Sequence, residues 1–144
     1  MRDDLVVTGV TDVNANVAKV WNALTNPAII REYFFGANTV TDWEVGSEIA
    51  FEGEYQGTKY RDHGVILEND LHERISYTYW SGFNGLADEP ENYSLVIYAL
   101  KPKSGNLTEL SWTMKGYATE AGYNHSKDGM PTFMAQIKGI IERQ

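Results

Sequence analysis

The feature that most constrains this chain is its last stretch. Met130, Phe133, Met134, Ile137, Ile140 and Ile141 recur at three- and four-residue spacing, while Gln136, Lys138, Glu142 and Arg143 fall on the opposite side. Side chains so spaced share one face of an α-helix, and a stripe of that width must be buried against another element. Asp128 supplies a capping side chain, and Pro131 is tolerated in a first turn, where its missing N–H is not needed. The spacing predicts one long amphipathic helix over residues 130–143. Almost everything upstream reads as strand, so the partner of that helix is a sheet.

The upstream elements follow in order. The β-branched run from Leu5 to Thr11 predicts a first strand. Val17, Val20, Trp21 and Leu24 then predict a short amphipathic helix, with its apolar side in the core. Asn26 and Pro27 form a cap and first helical position for a second helix carrying Ile29, Ile30 and Tyr33. Strands are predicted over residues 38–41, 46–54, 58–67, 75–80, 93–100 and 107–114. The second of these alternates cleanly, with Ile49 and Phe51 on one side and Glu48, Ala50, Glu52 and Glu54 on the other. That is a strand with one face in water. Gln56-Gly57 and Asn69-Asp70 read as turns, residues 81–91 as a long exposed loop, and residues 116–129 as a mobile connection. The expected fold class is α+β in one domain over residues 1–144: a curved antiparallel sheet wrapped around a long C-terminal helix, with two short helices after the first strand.

Charge and composition exclude several functions. The 144 residues carry a net charge of −8, a surface that repels nucleic-acid phosphates and anionic membranes. There is no cysteine, hence no disulfide, thiol catalysis or thiolate metal site. No apolar run approaches a membrane span, and the charged start reads as a cytoplasmic protein without a leader. No pair of His has metal-ligand spacing, and no phosphate loop or nucleophile elbow occurs, so no cofactor is expected.

Taken in order, Val17, Val20, Trp21, Leu24, Thr25, Asn26 and Pro27, then Tyr33, Thr41-Asp42-Trp43, Gly46-Ser47, Phe51, Asp62, Gly64, Ile66 and Glu91 to Ser94 form a pattern. It resembles the activator-of-heat-shock-protein-90 ATPase homologue-like family, within the helix-grip superfamily (SRPBCC, START-like) that also holds polyketide cyclases. The resemblance covers roughly residues 5–143. Tyr33 stands where the family often has Trp, and Gly129-Met130 where it often has Gly-Trp. The eukaryotic co-chaperones of the family carry a separate chaperone-binding domain with no counterpart here, so chaperone activation is not expected of this chain.

The resemblance implies a cavity between sheet and last helix, and the helix stripe supplies one wall of it. Its expected lining is Phe51, Tyr98, Trp112, Met130, Phe133, Met134 and Ile137, and its expected occupant is a small hydrophobic molecule, aromatic or lipid-like, bound without being transformed. His63 shares a strand face with Val65 and Leu67 and contacts the ligand if that face is inward. Two other classes stay open. A cyclase or hydratase would use His63, Tyr60 and Tyr98 as acid or base. A chaperone cofactor or regulatory protein would use the acidic surface and the loop over 81–91 to meet a protein partner.

Overall fold

The computed structural model describes residues 2–144. Its elements are β1 (Arg2–Val13), α1 (Val17–Thr25), α2 (Pro27–Tyr33), β2 (Asn38–Val40), β3 (Glu48–Tyr55), β4 (Thr58–Asp70), β5 (Arg74–Tyr79), β6 (Ser94–Lys103), β7 (Leu107–Tyr117) and α3 (Glu120–Glu142). The strands form one antiparallel seven-stranded sheet in the order β1-β7-β6-β5-β4-β3-β2. Consecutive strands from β2 to β7 are neighbours, and β1 closes onto β7 at the far edge. That is the expected meander with its long C-terminal helix packed on the sheet.

Local chemistry explains the helix starts. Asn16 caps α1 by accepting from the Lys19 N–H at 2.9 Å. Asn26 caps α2 by accepting from the Ala28 N–H at 3.0 Å, with Pro27 in the first turn. Both caps satisfy donors that the helix itself cannot. The Gln56-Gly57 turn has positive φ at both residues, 50° and 81°, as a two-residue hairpin requires. The next turn lies later than expected: β4 runs through Asn69-Asp70, and the chain reverses over Leu71–Glu73, with His72 at φ 65°.

The larger correction concerns α3. It begins at Glu120, ten residues before the apolar stripe, capped by Thr119 rather than Asp128, with the Thr119 side chain accepting from the Gly122 N–H at 3.1 Å. Pro131 is therefore inside the helix, where the N–H that would bond back one turn is missing. The early half carries Gly122, Asn124 and Gly129 and buries no side chain. Only Met134, Ile137, Ile140 and Ile141 are buried along the whole helix. A helix nucleated by its packed second half can propagate backward to a good cap at modest cost. Periodicity alone does not reveal such an extension.

The core lies between the inner face of the sheet and the helices. Val20, Ile49, Ile66, Ile75, Leu110, Ile137 and Ile141 are each at most 1% exposed. Burying such side chains contributes about 1.5–3 kcal/mol apiece. Trp21 is buried as expected, with its ring edge-on to His72 at 6.1 Å. The C-terminal end of α3 is tied to the turn after β1: Lys138 donates to the Asp12 carbonyl at 2.7 Å, and Glu142 accepts from the Asn14 N–H at 2.8 Å.

Candidate functional site

Strand alternation sorts every side chain to one of two sheet faces. The inner face receives Ile49 and Phe51 from β3, Tyr60, Asp62 and Ile66 from β4, Ile75, Tyr77 and Tyr79 from β5, Val96 and Tyr98 from β6, and Leu110, Trp112 and Met114 from β7. The ladder register places them together: Phe51 lies opposite Asp62, Tyr77 opposite Val96, and Tyr98 opposite Trp112. Over β1 the helix α3 comes close, because Gly9 has no side chain. A Cβ there would meet the Met130 sulfur at 2.6 Å and Met134 Cγ at 2.8 Å.

Seven of the eight expected lining residues lie on this inner side, but only Phe51 and Tyr98 among them border a small cavity there; Trp112, Met130, Phe133, Met134 and Ile137 do not line it. Phe51 stacks on Phe34 at 4.7 Å between ring centroids and lies 5.8 Å from Tyr77. Trp112 contacts Phe133 at 5.7 Å, and Phe133 meets Tyr33 at 6.2 Å. Met134 and Ile137 are buried; Trp112, Met130 and Phe133 are half-buried. Phe51 and Tyr98 border a small cavity of about 10 Å³ with Leu24, Ile30, Phe34 and Trp43. That is room for about one water. The two short helices close this end, with the buried Tyr33 hydroxyl donating to the Ala23 carbonyl at 3.0 Å. A more open groove of about 400 Å³ runs between α2 and α3 past Glu32, Phe35, Gln136 and Arg143.

His63 is the exception. It shares a face with Val65 and Leu67, as its spacing implies, but that face is the outer one. It lies opposite Ala50, whose strand neighbours Glu48 and Glu52 bind Arg61 on the solvent side. The loop after β5 folds over it: His63 Nε2 is 3.0 Å from an Asp88 carboxylate oxygen, and its ring lies 5.3 Å from Trp80 and 6.1 Å from Tyr93. The Tyr93 hydroxyl donates to the other Asp88 oxygen, and burial together with Asp88 pushes that hydroxyl up to about 12. His63 therefore pins the loop and cannot touch an inner ligand. His125, in α3, is exposed.

Asp62, a motif residue that periodicity alone does not mark as a site, lies on the inner face. It is 5% exposed and points inward, where one carboxylate oxygen accepts from the Tyr79 hydroxyl at 2.6 Å. Its other oxygen, Oδ1, is buried with no hydrogen-bond partner among the described residues. Burial raises the Asp62 carboxyl above the usual carboxylate range, against the lowering effect of Tyr79, Ser81 and His63. Burial and Asp62 together hold the Tyr79 hydroxyl far above its ordinary value. A readable signal for Asp62 existed. A two-residue turn at Gln56-Gly57 pairs Tyr55 with Thr58, and counting back along both strands sets Asp62 opposite the inward Phe51.

Among the described residues no three His, Asp or Glu side chains converge as metal ligands, and no helix is long and apolar enough to cross a membrane. No curated protein sequence matches this one. Solved structures do. The solution structure of a protein from Cytophaga hutchinsonii is 36% identical, with a TM-score of 0.83 over 99% of this chain and 97% of that one. The crystal structure of a protein from Mesorhizobium loti is 22% identical, with a TM-score of 0.77 over 96% of this chain and 98% of that one. DynU16, from the dynemicin biosynthetic locus, is 17% identical, with a TM-score of 0.76 over 96% of this chain and 48% of its own. The sequence pattern of the activator of Hsp90 ATPase homolog 1-like proteins spans residues 14–142, so the chain belongs to that family, as the order of its motifs implied.

Proposed function

We propose that this domain binds a small, largely apolar, aromatic molecule between the inner sheet face and α3, and does not transform it. One observation carries this reading. Tyr60, Tyr79, Trp112, Met114, Met130 and Phe133 pack against the core on the inner side yet are only partly buried. Large apolar side chains that a monomer could have sealed, but has not, are where an apolar guest gains most. The small cavity beside Phe51 and Tyr98 lies under α1 and α2 and is lined by no residue of α3, so a guest beneath α3 enters by displacing side chains. Met130 is unbranched and adaptable. It sits beside Pro131, at the point where the helix lacks a backbone hydrogen bond, and the half of α3 before it buries nothing.

A guest that removes on the order of 200 Å² of apolar surface from water gains about 5 kcal/mol at ~25 cal/mol per Å². Immobilisation takes back part of this. The mid-strand histidine is turned away from the inner face, so the one acid/base candidate there is the buried Asp62–Tyr79 pair, and recovery of an unchanged ligand is what separates binding from turnover.

The test is a thermal-shift and tryptophan-quenching screen of hydrophobic aromatics and lipids, on the parent and on Met130→Trp, which fills the cleft. A ligand at a hundredfold excess over its Kd should stabilise the parent by about 2.7 kcal/mol. The Trp variant should fold and bind none. Absence of any binder, or equal binding by the variant, refutes the reading. A compound recovered chemically changed replaces it with the cyclase reading.

A further inference from the structure

Most of the inner face is apolar or phenolic, and Asp62 stands out in it. Its neighbours are Phe51 across the ladder and Tyr60 and Tyr79 beside it. A carboxylate kept only to pin β4 to β5 needs one oxygen, and Tyr79 occupies that one. The second oxygen, Oδ1, is buried and makes no hydrogen bond of ordinary geometry among the described residues, although the Ser81 hydroxyl and the Gly82 N–H are close enough to the carboxyl to lower its pKa. Buried carboxylate oxygens are ordinarily satisfied, so one that is not calls for an explanation.

We propose that Asp62, steadied by Tyr79, is the polar end of the cleft and selects aromatic ligands that end in a hydrogen-bond donor, a hydroxyl or amino group seated on Oδ1. This rests on the cleft binding a small molecule at all. The carboxylate has acceptor capacity only, so it accepts a donor and repels an ether or carbonyl oxygen. Tyr79 shows the geometry the site takes: a phenolic O–H at 2.6 Å from the sister oxygen. A phenol from a ligand would complete a symmetric pair. Burial already lifts the Asp62 carboxyl, and an incoming donor offsets that desolvation.

Access to Oδ1 runs through the loop after β5. Ser81 and Gly82 lie against the carboxyl. Ser81 caps a single 3-10 turn, Gly82–Asn84, that ends at Gly85 with φ 74°. The next side chain, Phe83, is 56% exposed and leans on Tyr60 at 5.1 Å and Tyr55 at 5.8 Å. The cover over Asp62 is thus one short turn held by ring edges. Moving it opens the carboxylate without breaking the sheet.

The experiment uses the whole chain and two probes of nearly equal shape, 2-naphthol and 2-methoxynaphthalene, titrated by calorimetry and by amide chemical shifts. The parent should bind the naphthol at least about tenfold tighter, the scale of one hydrogen bond to a charged acceptor. In Asp62→Asn, whose amide can donate to an ether, the preference should fall to within about threefold or invert. In Tyr79→Phe the naphthol preference should persist or grow, because the carboxylate has lost its internal donor. A merely structural Asp62 would change both affinities together. If the parent binds both probes equally, donor selection is overturned and the cleft reading stands. If neither probe binds and no amide of the inner face shifts, the cleft reading fails and this inference fails with it. Should Asp62→Asn not fold, the parent's preference and Tyr79→Phe decide alone.

Discussion

Replacing Asp62 by Asn should stabilise the protein at neutral pH and not at acid pH. The wild-type carboxyl is 5% exposed, has one oxygen bonded to Tyr79 and leaves the other unpaired. An unsatisfied buried group costs about 1–3 kcal/mol, more when charged, and the Tyr79 bond offsets part of this. A net gain of about 1 kcal/mol for the neutral amide is therefore expected, or roughly 2–4 °C in Tm for a domain of this size. The pH dependence fixes the sign. Burial raises the folded pKa of Asp62 above its unfolded value of about 3.9. Between those two values the folded state holds more protons than the unfolded one. Stability from this group is thus fully present below about pH 4 and is lost as pH rises through the folded value. Asn has no such titration, so the advantage of the variant should appear above that window and vanish below it. Glu48, Glu68 and Glu142 have pKa values lowered by their Arg, Ser and Lys partners and so titrate the opposite way. They do so in both proteins and cancel in the difference. Urea melts followed by circular dichroism from pH 3.5 to pH 8 measure it. A variant about 1 kcal/mol less stable than the parent at pH 7, or a difference independent of pH, would show Asp62 to be a satisfied structural carboxylate.

Three further outcomes follow from packing. Trp21→Ala should cost about 3–5 kcal/mol in urea melts, because the ring is 8% exposed in the core; a loss under about 1 kcal/mol would contradict that. Gly64→Ala should lose more than about 3 kcal/mol or fail to fold, since its Cβ would sit 1.6 Å from the Thr78 carbonyl oxygen, and backbone on a paired strand cannot step aside; normal expression and melting would refute the close approach. Gly129→Ala should raise stability by about 0.5–1 kcal/mol, because the site is helix interior with nothing within 4 Å; no gain in Tm would mean that the early half of α3 is not helical in solution.

Sequence by itself determined the parts of this protein that local physics governs. Hydrophobic periodicity fixed the buried stripe of α3, and Asn-Pro and Gln-Gly fixed a helix start and a hairpin turn. The alternation of Ile49 and Phe51 against the glutamates fixed the inward side of β3, and the order of motifs fixed the family. Tertiary structure decided the rest. Val65 and Leu67 are apolar without being inside, so apolarity near His63 was no guide to its face. The Gln56-Gly57 turn already carries the pairing that puts Asp62 in the core, whereas the loop that covers His63 comes from a distant part of the chain. The start of α3 at Thr119 was likewise decided by a cap and a packed far end rather than by any periodic pattern over residues 120–129. The size of the small cavity near Phe51, about 10 Å³, depends on where Phe34 and Tyr33 fall once α2 docks. Periodicity reports which side of an element is apolar, whereas the space left between elements is set by side chains far apart in the chain, and only their packing fixes it.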